Sequence, residues 1–422
     1  MKNKITIRQM AEASDALYVE GKRFTHIGIG PMSRRLLRAA LELAKEKDFP
    51  LILIASRNQV DSDALGGGYV CGFDQKRFVE ATAQIADEIG FDGLCYFCRD
   101  HGGPWQRDKE RADKLPAMEA MEIAKQSYLD DAASGFDLLH IDPTKDPHCA
   151  GVVPLDTVLN RTVELIEYVE KKRKELNLQE LAYEVGTEET AGGLIDPANY
   201  ESFIRTLNAG LDKRRLPRPI FVVGQTGTLV RLTSNVGHYD TQAACTLSGI
   251  ARKHGMGLKQ HNGDYLENAM LLEHPAIGLS ASNVAPEFGV VETEAYLELL
   301  KIEEKFVGAD KRSNLGAVLK EYAVKGERWR KWMVGDKRNA CAAEIMDDAE
   351  NAELITRMCG HYTFEEPAVS HAIVKLEKNI QSLGLDPDFY VLKRIKDCID
   401  RYVYCFNLYG TTTRILEKAR AI

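Results

Sequence analysis

The sequence has no apolar run that approaches the roughly 18 residues of a membrane-spanning helix. Its first ten residues are polar and charged, and they lack the apolar core of a secretory signal. Basic residues are not in excess either, since 55 Lys and Arg stand against 63 Asp and Glu, for a formal net charge of −8. Nucleic-acid binding usually requires a basic face. We therefore expect a cytoplasmic protein that binds neither membranes nor nucleic acids.

Cysteine shows no disulfide pattern. The nine cysteines are odd in number and scattered along 422 residues, which indicates reduced, packed thiols. Cys95 and Cys98 form a lone C-x-x-C spacing, but it lies in a predicted strand, where residues three apart point to opposite faces. No second pair completes a zinc site. We interpret the cysteines as core residues.

Short apolar runs alternate with longer amphipathic ones over about the first 300 residues. The apolar runs lack polar alternation, so both faces of each predicted strand should be buried. The predicted strands are 26–31, 51–56, 93–98, 136–141, 181–185, 220–223, 257–260 and 276–280. Helical patterns lie between them. Eight strand–helix units in strict alternation predict an α/β fold, the (β/α)8 TIM barrel, whose catalytic groups follow the carboxyl ends of the strands.

The pattern changes near residue 308. No further run resembles the eight predicted strands, and 310–422 has helical spacing throughout. We predict a TIM-barrel catalytic domain over 1–307 and a helical C-terminal extension over 308–422. The extension is expected to cover the barrel or to mediate assembly, and a homo-oligomer is expected.

Polar residues recur where successive predicted strands end, and a closed barrel directs all of these ends to one place. The candidates are Asn58, Asp61, Asp100, His101, Asp142, Glu184, Glu189, Gln225, His261, Asp264 and Asn283. Each alone could be a helix cap or a turn residue. His140 lies inside its predicted strand and is interpreted as a possible core histidine. The convergence of the whole set favours a catalytic site.

The residue types indicate metal-assisted chemistry. His101 and His261, with an oxygen donor such as Gln225 or Glu184, could hold a divalent ion, Zn²⁺ or alternatively Mn²⁺, with open coordination positions. Such an ion polarises a carbonyl, and Asp100 would then act as general acid or base on a sugar hydroxyl. The alternative is that both histidines only orient the substrate.

A glycine pair after the first predicted strand has a simpler explanation than nucleotide binding. Gly28 and Gly30 imitate a dinucleotide-binding loop, but the third glycine is missing and the second strand ends without an acid. Tight packing between strand and helix explains the pair.

Several of these motifs resemble the D-tagatose-1,6-bisphosphate aldolase subunit family, in its branch of non-catalytic Z subunits formerly labelled tagatose-6-phosphate kinases. The resemblance rests on 56–61 with Gly67-Gly68-Tyr69, Asp100-His101-x-Gly103-Pro104, His140-Ile141-Asp142, Gly186-Thr187-Glu188, Gln225 and His261-x-x-Asp264-Tyr265. The family is similar to the class II fructose-bisphosphate aldolases, which are zinc-dependent barrels. The resemblance implies an acid/base role for Asp100 and metal binding by His101, Gln225 and His261, with Glu184 nearby.

Two departures from the class II enzymes bear on the metal and on the substrate. Gln225 stands where those enzymes carry another histidine. Asp264 follows the seventh predicted strand, where they bind phosphate with a Gly-Gly-Ser-type turn, and its charge would repel a phosphate. The substrate could therefore lack a phosphate at that end.

We predict a class II-type ketose aldolase that cleaves the C3–C4 bond of a sugar or sugar phosphate, with Asp100 and Glu184 as catalytic residues. Substrate contacts are expected from Asn58, Asp61, Asp142, Glu189, Asp264 and Asn283. Two alternatives stay open. One is a ketose or uronate 4-epimerase that uses the same bond cleavage. The other is a non-catalytic subunit that stabilises a separate catalytic aldolase subunit.

Overall fold

Eight parallel strands close into a barrel in the computed structural model, which describes residues 3–186 and 194–422. The strands are β1 His26–Ile29, β2 Leu51–Ser56, β3 Cys95–Gly102, β4 Leu138–Ile141, β5 Ala182–Gly186, β6 Phe221–Val223, β7 Gly257–Gln260 and β8 Ala281–Val284. Each strand pairs with its neighbours in chain order, and β1 pairs with β8 to close the ring. The predicted (β/α)8 barrel is confirmed.

Amphipathic helices surround the strands. They are α1 Ile7–Val19, α2 Arg34–Lys47, α3 Gln75–Ile89, α4 Asp108–Ala112, α5 Ala117–Ser134, α6 Leu155–Glu175, α7 Pro197–Arg214, α8 Thr241–Lys253, α9 Asn268–Ile277 and α10 Pro286–Phe306. Side-chain caps start several of them. Ser33 accepts a hydrogen bond from the amide of Leu36, and Asp74 accepts one from the amide of Arg77. Among the described helices, none is both long and apolar enough to cross a membrane.

Two predicted strands needed correction. The third was expected at 93–98, but β3 continues to Gly102, so Asp100 and His101 lie within the strand. The eighth was expected at 276–280, which is wrong, because α9 runs to Ile277 and β8 begins at Ala281. Asn283 is therefore a buried strand residue and not part of a loop.

The chain after residue 308 is helical, as predicted. Its helices are α11 Leu315–Lys325, α12 Ala342–Asp347, α13 Ala349–Cys359, α14 Pro367–Ser382, α15 Pro387–Cys405 and α16 Thr411–Ala421. Helix α15 packs against α2 and α10, and α16 packs against α1. The apolar core of the barrel continues into α14, α15 and α16, while α11 and α13 share a smaller second core. The boundary at 307/308 stays a prediction, because the main core runs across it.

Candidate metal centre and active site

The carboxyl ends of the barrel strands open into a pocket of about 860 Å³, part of it open to solvent. The barrel contributes the polar side chains Asn58, Asp100, His101, His261, Asp264 and Asn283. The helical extension contributes Arg328, Lys331, Trp332 and Tyr362. The pocket therefore lies where a TIM barrel normally carries its catalytic groups, and the extension forms part of its wall.

Three imidazoles meet beside this pocket; His101 and His261 line it, and His140 is fully buried next to them. His101, His140 and His261 each offer one nitrogen, and these three atoms lie within 4.8 Å of one another. His101 Nε2 lies 3.0 Å from His261 Nδ1. Two ring nitrogens that face each other at this distance can share a proton, or can both bind one cation. The structure thus brings together His101 and His261, as the sequence predicts, and adds His140.

A bulge in β3 positions His101. Asp100 and His101 together lie opposite the single residue His140, because the pairing of β3 with β4 shifts between Arg99 and Gly102. His101 has a φ of 45°, in the left-handed region that non-glycine residues rarely adopt. Backbone strain of this kind costs on the order of 1–3 kcal/mol and is found mostly at functional sites.

Buried carboxylates fix the rings of two of these histidines. Asp142 Oδ2 lies 2.9 Å from His101 Nδ1, and Glu184 Oε1 lies 2.8 Å from His261 Nε2. Both carboxylates are fully buried. Carboxylates that bond the outer nitrogen of a histidine orient the ring and make it a better metal ligand. Both acids therefore lie behind the rings, and neither lines the described part of the pocket. The catalytic role of Glu184 and the substrate contact of Asp142 stay predictions.

A buried lysine balances the charge of Glu184. Lys259 on β7 donates a hydrogen bond of 2.5 Å from its Nζ to Glu184 Oε2. Burial alone would raise the pKa of Glu184, but the Lys259 ammonium and the hydrogen bond with His261 outweigh it and hold that pKa well below the usual range. The carboxylate therefore stays ionised beneath the histidines.

His140 has the properties of a ligand. Burial lowers its pKa to about 4, so the ring is neutral near pH 7 and offers a lone pair. Its Nε2 is buried and has no hydrogen-bond partner among residues 3–186 and 194–422, and a buried polar atom left unpaired costs about 1–3 kcal/mol. Three imidazole nitrogens around one point fit a borderline ion such as Zn²⁺. The residues present therefore fit the divalent metal that the sequence predicts.

The catalytic acid predicted from the sequence lies beside these rings. Asp100 Oδ1 lies 3.7 Å from His261 Nδ1 and accepts a hydrogen bond of 2.9 Å from Asn283 Nδ2. Asn283 can approach because Gly28, opposite it on β1, has no side chain; a Cβ there would lie 2.2 Å from Asn283 Oδ1. The first glycine of the pair is thus required by packing between strands and not between strand and helix, and a Cβ on the second, Gly30, would lie 2.4 Å from Ala285 Cβ.

Other predicted substrate residues have different places. Asp61 is fully buried and accepts hydrogen bonds from Arg57 and Gln75, so it holds the loop after β2 and does not face the pocket. Asp264 lines the pocket, but its Oδ1 accepts hydrogen bonds from the amides of Ala285 and Glu287 at the start of α10. Burial and the neighbouring Glu287 carboxylate raise the pKa of Asp264 to about 7.

Three further predicted residues differ in how they relate to the pocket. Asn58 lines the pocket and accepts a hydrogen bond from the amide of Asp108. Gln225 is half-buried and follows β6, and its role as a metal ligand stays a prediction. Glu189 lies outside the described residues. Asp100, His101, His261 and Asn283 are thus the predicted residues that the structure brings together most closely.

Sequence reasoning missed two residues of the site, His140 as a member of the imidazole cluster and Lys259 as the partner of Glu184. The available signal was a polar residue inside an otherwise apolar strand, which needs a buried partner. His140 pairs across the sheet with Glu184, and only the strand register shows this.

Comparison with known proteins identifies relatives of the chain. The family model described as D-tagatose-1,6-bisphosphate aldolase subunit GatZ/KbaZ-like matches residues 18–390. The D-tagatose-1,6-bisphosphate aldolase subunit GatZ of Shigella flexneri serotype 5b (strain 8401) is 27% identical over 339 residues, which cover 75% of this chain and 78% of that protein.

Solved structures share the fold. The crystal structure of a probable tagatose 6 phosphate kinase from Sinorhizobium meliloti 1021 has a TM-score of 0.75 at 22% identity and covers 90% of this chain and 100% of its own. The fructuronate-tagaturonate epimerase UxaE from Cohnella laeviribosi has a TM-score of 0.53 at 13% identity, with coverage of 91% and 81%. The match over 18–390 shows that the chain belongs to the GatZ/KbaZ-like family of D-tagatose-1,6-bisphosphate aldolase subunits.

Proposed function

We propose that this chain is a metal-dependent enzyme that cleaves the C3–C4 bond of a ketose by aldol chemistry. The observation that carries the proposal is the meeting of three imidazoles beside Asp100. Their nitrogens lie within 4.8 Å of one another, and Asp100 is held next to them by Asn283. A polar cluster of this kind is costly to build inside a barrel, and a protein that serves only as a scaffold gains nothing from it.

His101, His140 and His261 would hold the metal, with Gln225 as a further candidate ligand. When bound, a Zn²⁺ or Mn²⁺ ion supplies a Lewis acid that polarises the C2 carbonyl of the ketose. Asp142 and Glu184 keep the outer nitrogens of His101 and His261 engaged, which fixes the direction of both rings. Lys259 keeps Glu184 charged, so Glu184 acts through His261.

Asp100 would move the proton. In the cleavage direction the Asp100 carboxylate takes the proton of the C4 hydroxyl. The C3–C4 bond then breaks, and the electron pair of that bond passes toward C2. An aldehyde then forms at C4, and the other fragment is left as an enolate, which takes the proton from Asp100 at C3 before it is released. In the reverse direction Asp100 returns the proton to the new C4 oxygen. The hydrogen bond from Asn283 keeps one carboxylate oxygen fixed during this transfer.

A 4-epimerase would use the same residues. If the aldehyde fragment turns over before the bond re-forms, the product is the C4 epimer and no fragment is released. Product analysis distinguishes the two outcomes, because only the aldolase releases a fragment.

The names of the curated relatives favour a second candidate. They are named as subunits of D-tagatose-1,6-bisphosphate aldolase, and a protein of this kind could stabilise a separate catalytic aldolase subunit. In this case neither the metal nor Asp100 would matter for its action.

Metal analysis of the purified protein separates the two candidates. We expect about one zinc or manganese equivalent per chain in the wild type and in Asp100→Asn. We expect loss of the metal in His140→Ala and His261→Ala. His371→Ala is the matched control, because His371 lies exposed on α14. Thermal unfolding curves verify that each variant is folded.

Turnover is then measured on a panel of neutral and acidic ketoses. The wild type should release an aldehyde fragment or form a C4 epimer, and Asp100→Asn should lose this activity while it keeps the metal. Protein without bound metal, and a panel on which the wild type and Asp100→Asn behave alike, would contradict the catalytic proposal and favour the subunit role.

A further inference from the structure

One turn of the helical extension reaches into the mouth of the pocket. It is the 3-10 segment Arg328–Lys331, followed by Trp332. Arg328, Lys331 and Trp332 line the same pocket as Asp100 and His261. This turn follows Asp100 by about 230 residues in the sequence. It nevertheless faces any molecule bound at the imidazoles.

Along the described wall of the pocket, the acidic and the basic side chains come from different parts of the chain. The barrel supplies the carboxylates Asp100, Asp108 and Asp264 and neither a lysine nor an arginine. The extension supplies two cations, Arg328 and Lys331, and no acid. A substrate with an anionic end would therefore be attracted to the extension and not to the barrel loops.

Neither cation forms an ion pair in the described chain; burial of its ammonium group lowers the pKa of Lys331, and the carboxylates of Asp108 and Asp100 act on it only at longer range and in the opposite direction. No carboxylate of residues 3–186 or 194–422 lies within 4.0 Å of Arg328 or Lys331. Arg330, on the same turn but outside the pocket, forms an ion pair of 2.9 Å with Glu327. The two pocket cations are thus the members of this turn that remain available to a ligand.

Aromatic rings hold Arg328 in place. Its guanidinium carbon lies 4.4 Å from the centre of the Tyr69 ring and 5.4 Å from that of Tyr362, and these two rings pack edge to face. Trp332 donates a hydrogen bond of 3.1 Å to the Tyr362 hydroxyl. Stacking occupies the faces of a guanidinium and leaves its N–H edge for hydrogen bonds, and that edge matches the two oxygens of a carboxylate or phosphate.

We propose that Arg328 and Lys331 form a subsite for the oxyanion of an acidic ketose, at the end of the sugar remote from the imidazoles. The shared chemistry is a carboxylate or phosphate group on a ketose chain. This inference rests on the proposed function for the placement of the sugar, and it assigns the recognition of charge to the extension. The acid Asp264 on the barrel side then faces the neutral part of the substrate.

Binding is measured by calorimetry in an Asp100→Asn background, which prevents turnover. The three probes are a neutral ketohexose, the corresponding 2-keto-hexuronate and the corresponding ketohexose 6-phosphate. We expect one of the anions to bind at least about tenfold more tightly than the neutral sugar, as a charge-assisted hydrogen bond provides. The anion that binds more tightly identifies the source of the oxyanion.

Lys331→Gln is the primary test variant, because Lys331 is exposed and its loss should leave the fold unchanged. It should weaken the preferred anion about tenfold and leave the neutral sugar unaffected. Arg328→Gln should act in the same direction, and thermal unfolding verifies that its aromatic packing is retained. Arg330→Gln is the matched control and should change neither affinity.

Equal affinity for all three probes, no binding of any probe, or an anion affinity that both pocket variants leave unchanged would overturn the subsite. The metal content of the same preparations separates this result from failure of the proposed function. Bound metal without anion preference removes the subsite alone. Anion binding that depends on Lys331 in a protein without metal supports the subsite and contradicts the metal-dependent chemistry.

Discussion

Replacement of Gly28 by alanine should displace Asn283 and, through it, Asp100. The added Cβ would lie 2.2 Å from Asn283 Oδ1 and 3.1 Å from Ile54 Cγ2, whereas carbon atoms in contact normally lie about 3.5–4.0 Å apart. The Asn283 side chain is the easier of the two to move. Its rotation would break the hydrogen bond of 2.9 Å that it donates to Asp100.

The expected magnitudes follow from these contacts. A hydrogen bond to a charged group contributes about 1.5–3 kcal/mol, so loss of this bond should lower turnover by about 10- to 100-fold. The strain of an overpacked core costs about 1–3 kcal/mol, and rotation of Asn283 relieves part of it. We expect destabilisation near the lower end of this range and a larger effect on kcat than on KM.

The assay combines urea unfolding with steady-state kinetics on the best substrate from the ketose panel. Gly249→Ala is the matched control, because Gly249 lies in α8 and a Cβ there meets nothing within 4 Å. It should be neutral or stabilising, since alanine favours helix by about 1 kcal/mol over glycine. The double variant Gly28→Ala/Asn283→Ala should be more stable than the sum of its single changes predicts, because the clash is removed.

If the losses in unfolding free energy of Gly28→Ala and Asn283→Ala simply add in the double variant, the reasoning is refuted. A Gly28→Ala protein with wild-type stability and wild-type kcat would refute it too, since either result means that Asn283 does not lie against Gly28 or does not hold Asp100.

Two further predictions concern buried charges. Lys259→Met should reduce the free energy of unfolding by about 3–5 kcal/mol, measured in urea, because it leaves Glu184 buried without its partner. The double variant Lys259→Met/Glu184→Gln should recover part of this loss. If Glu184→Gln instead costs as much again, the pairing is contradicted. Burial raises the pKa of Glu292 to about 7, despite a hydrogen bond from Ser33. Folding therefore favours its neutral form, and this contribution is present below about pH 4.5 and is lost as the pH rises through 7. Glu292→Gln should match the wild type at low pH and be the more stable protein at pH 8, by up to about 3 kcal/mol, whereas an unchanging difference between pH 5 and 8 would contradict the assignment.

The barrel could be predicted from the sequence because seven of its strands are short apolar runs buried on both faces, and periodicity detects this directly. β8 was misplaced because its buried residues Ser282 and Asn283 are polar and resemble a loop, although Asn283 lines the pocket from within the strand. The same cause shortened the predicted third strand, in which Arg99 is buried and pairs with Asp131. Polar residues inside a barrel break the apolar pattern, and tertiary packing overrides it.

Part of the site could be predicted because its residues follow successive strands. The proximity of His101 and His261 needs no more than barrel closure. The place of His140 depends on the strand register, which sets it opposite Glu184, and on the bulge at Asp100 and His101. The contribution of Arg328 and Lys331 depends on how the extension folds back, and the local sequence carries no signal for this.

The pocket wall is built from two structurally different parts of the chain, the barrel and a turn of the helical extension. The imidazoles project from strands locked into a closed ring, where few substitutions fit, while the cations lie on a surface turn fastened by Trp329 and by aromatic stacking. Under the proposed function, mutations that alter this turn would change which molecules bind and would leave the imidazole centre intact. In a protein built this way, substrate selectivity and chemical reactivity depend on different residues, so either can change during evolution without loss of the other.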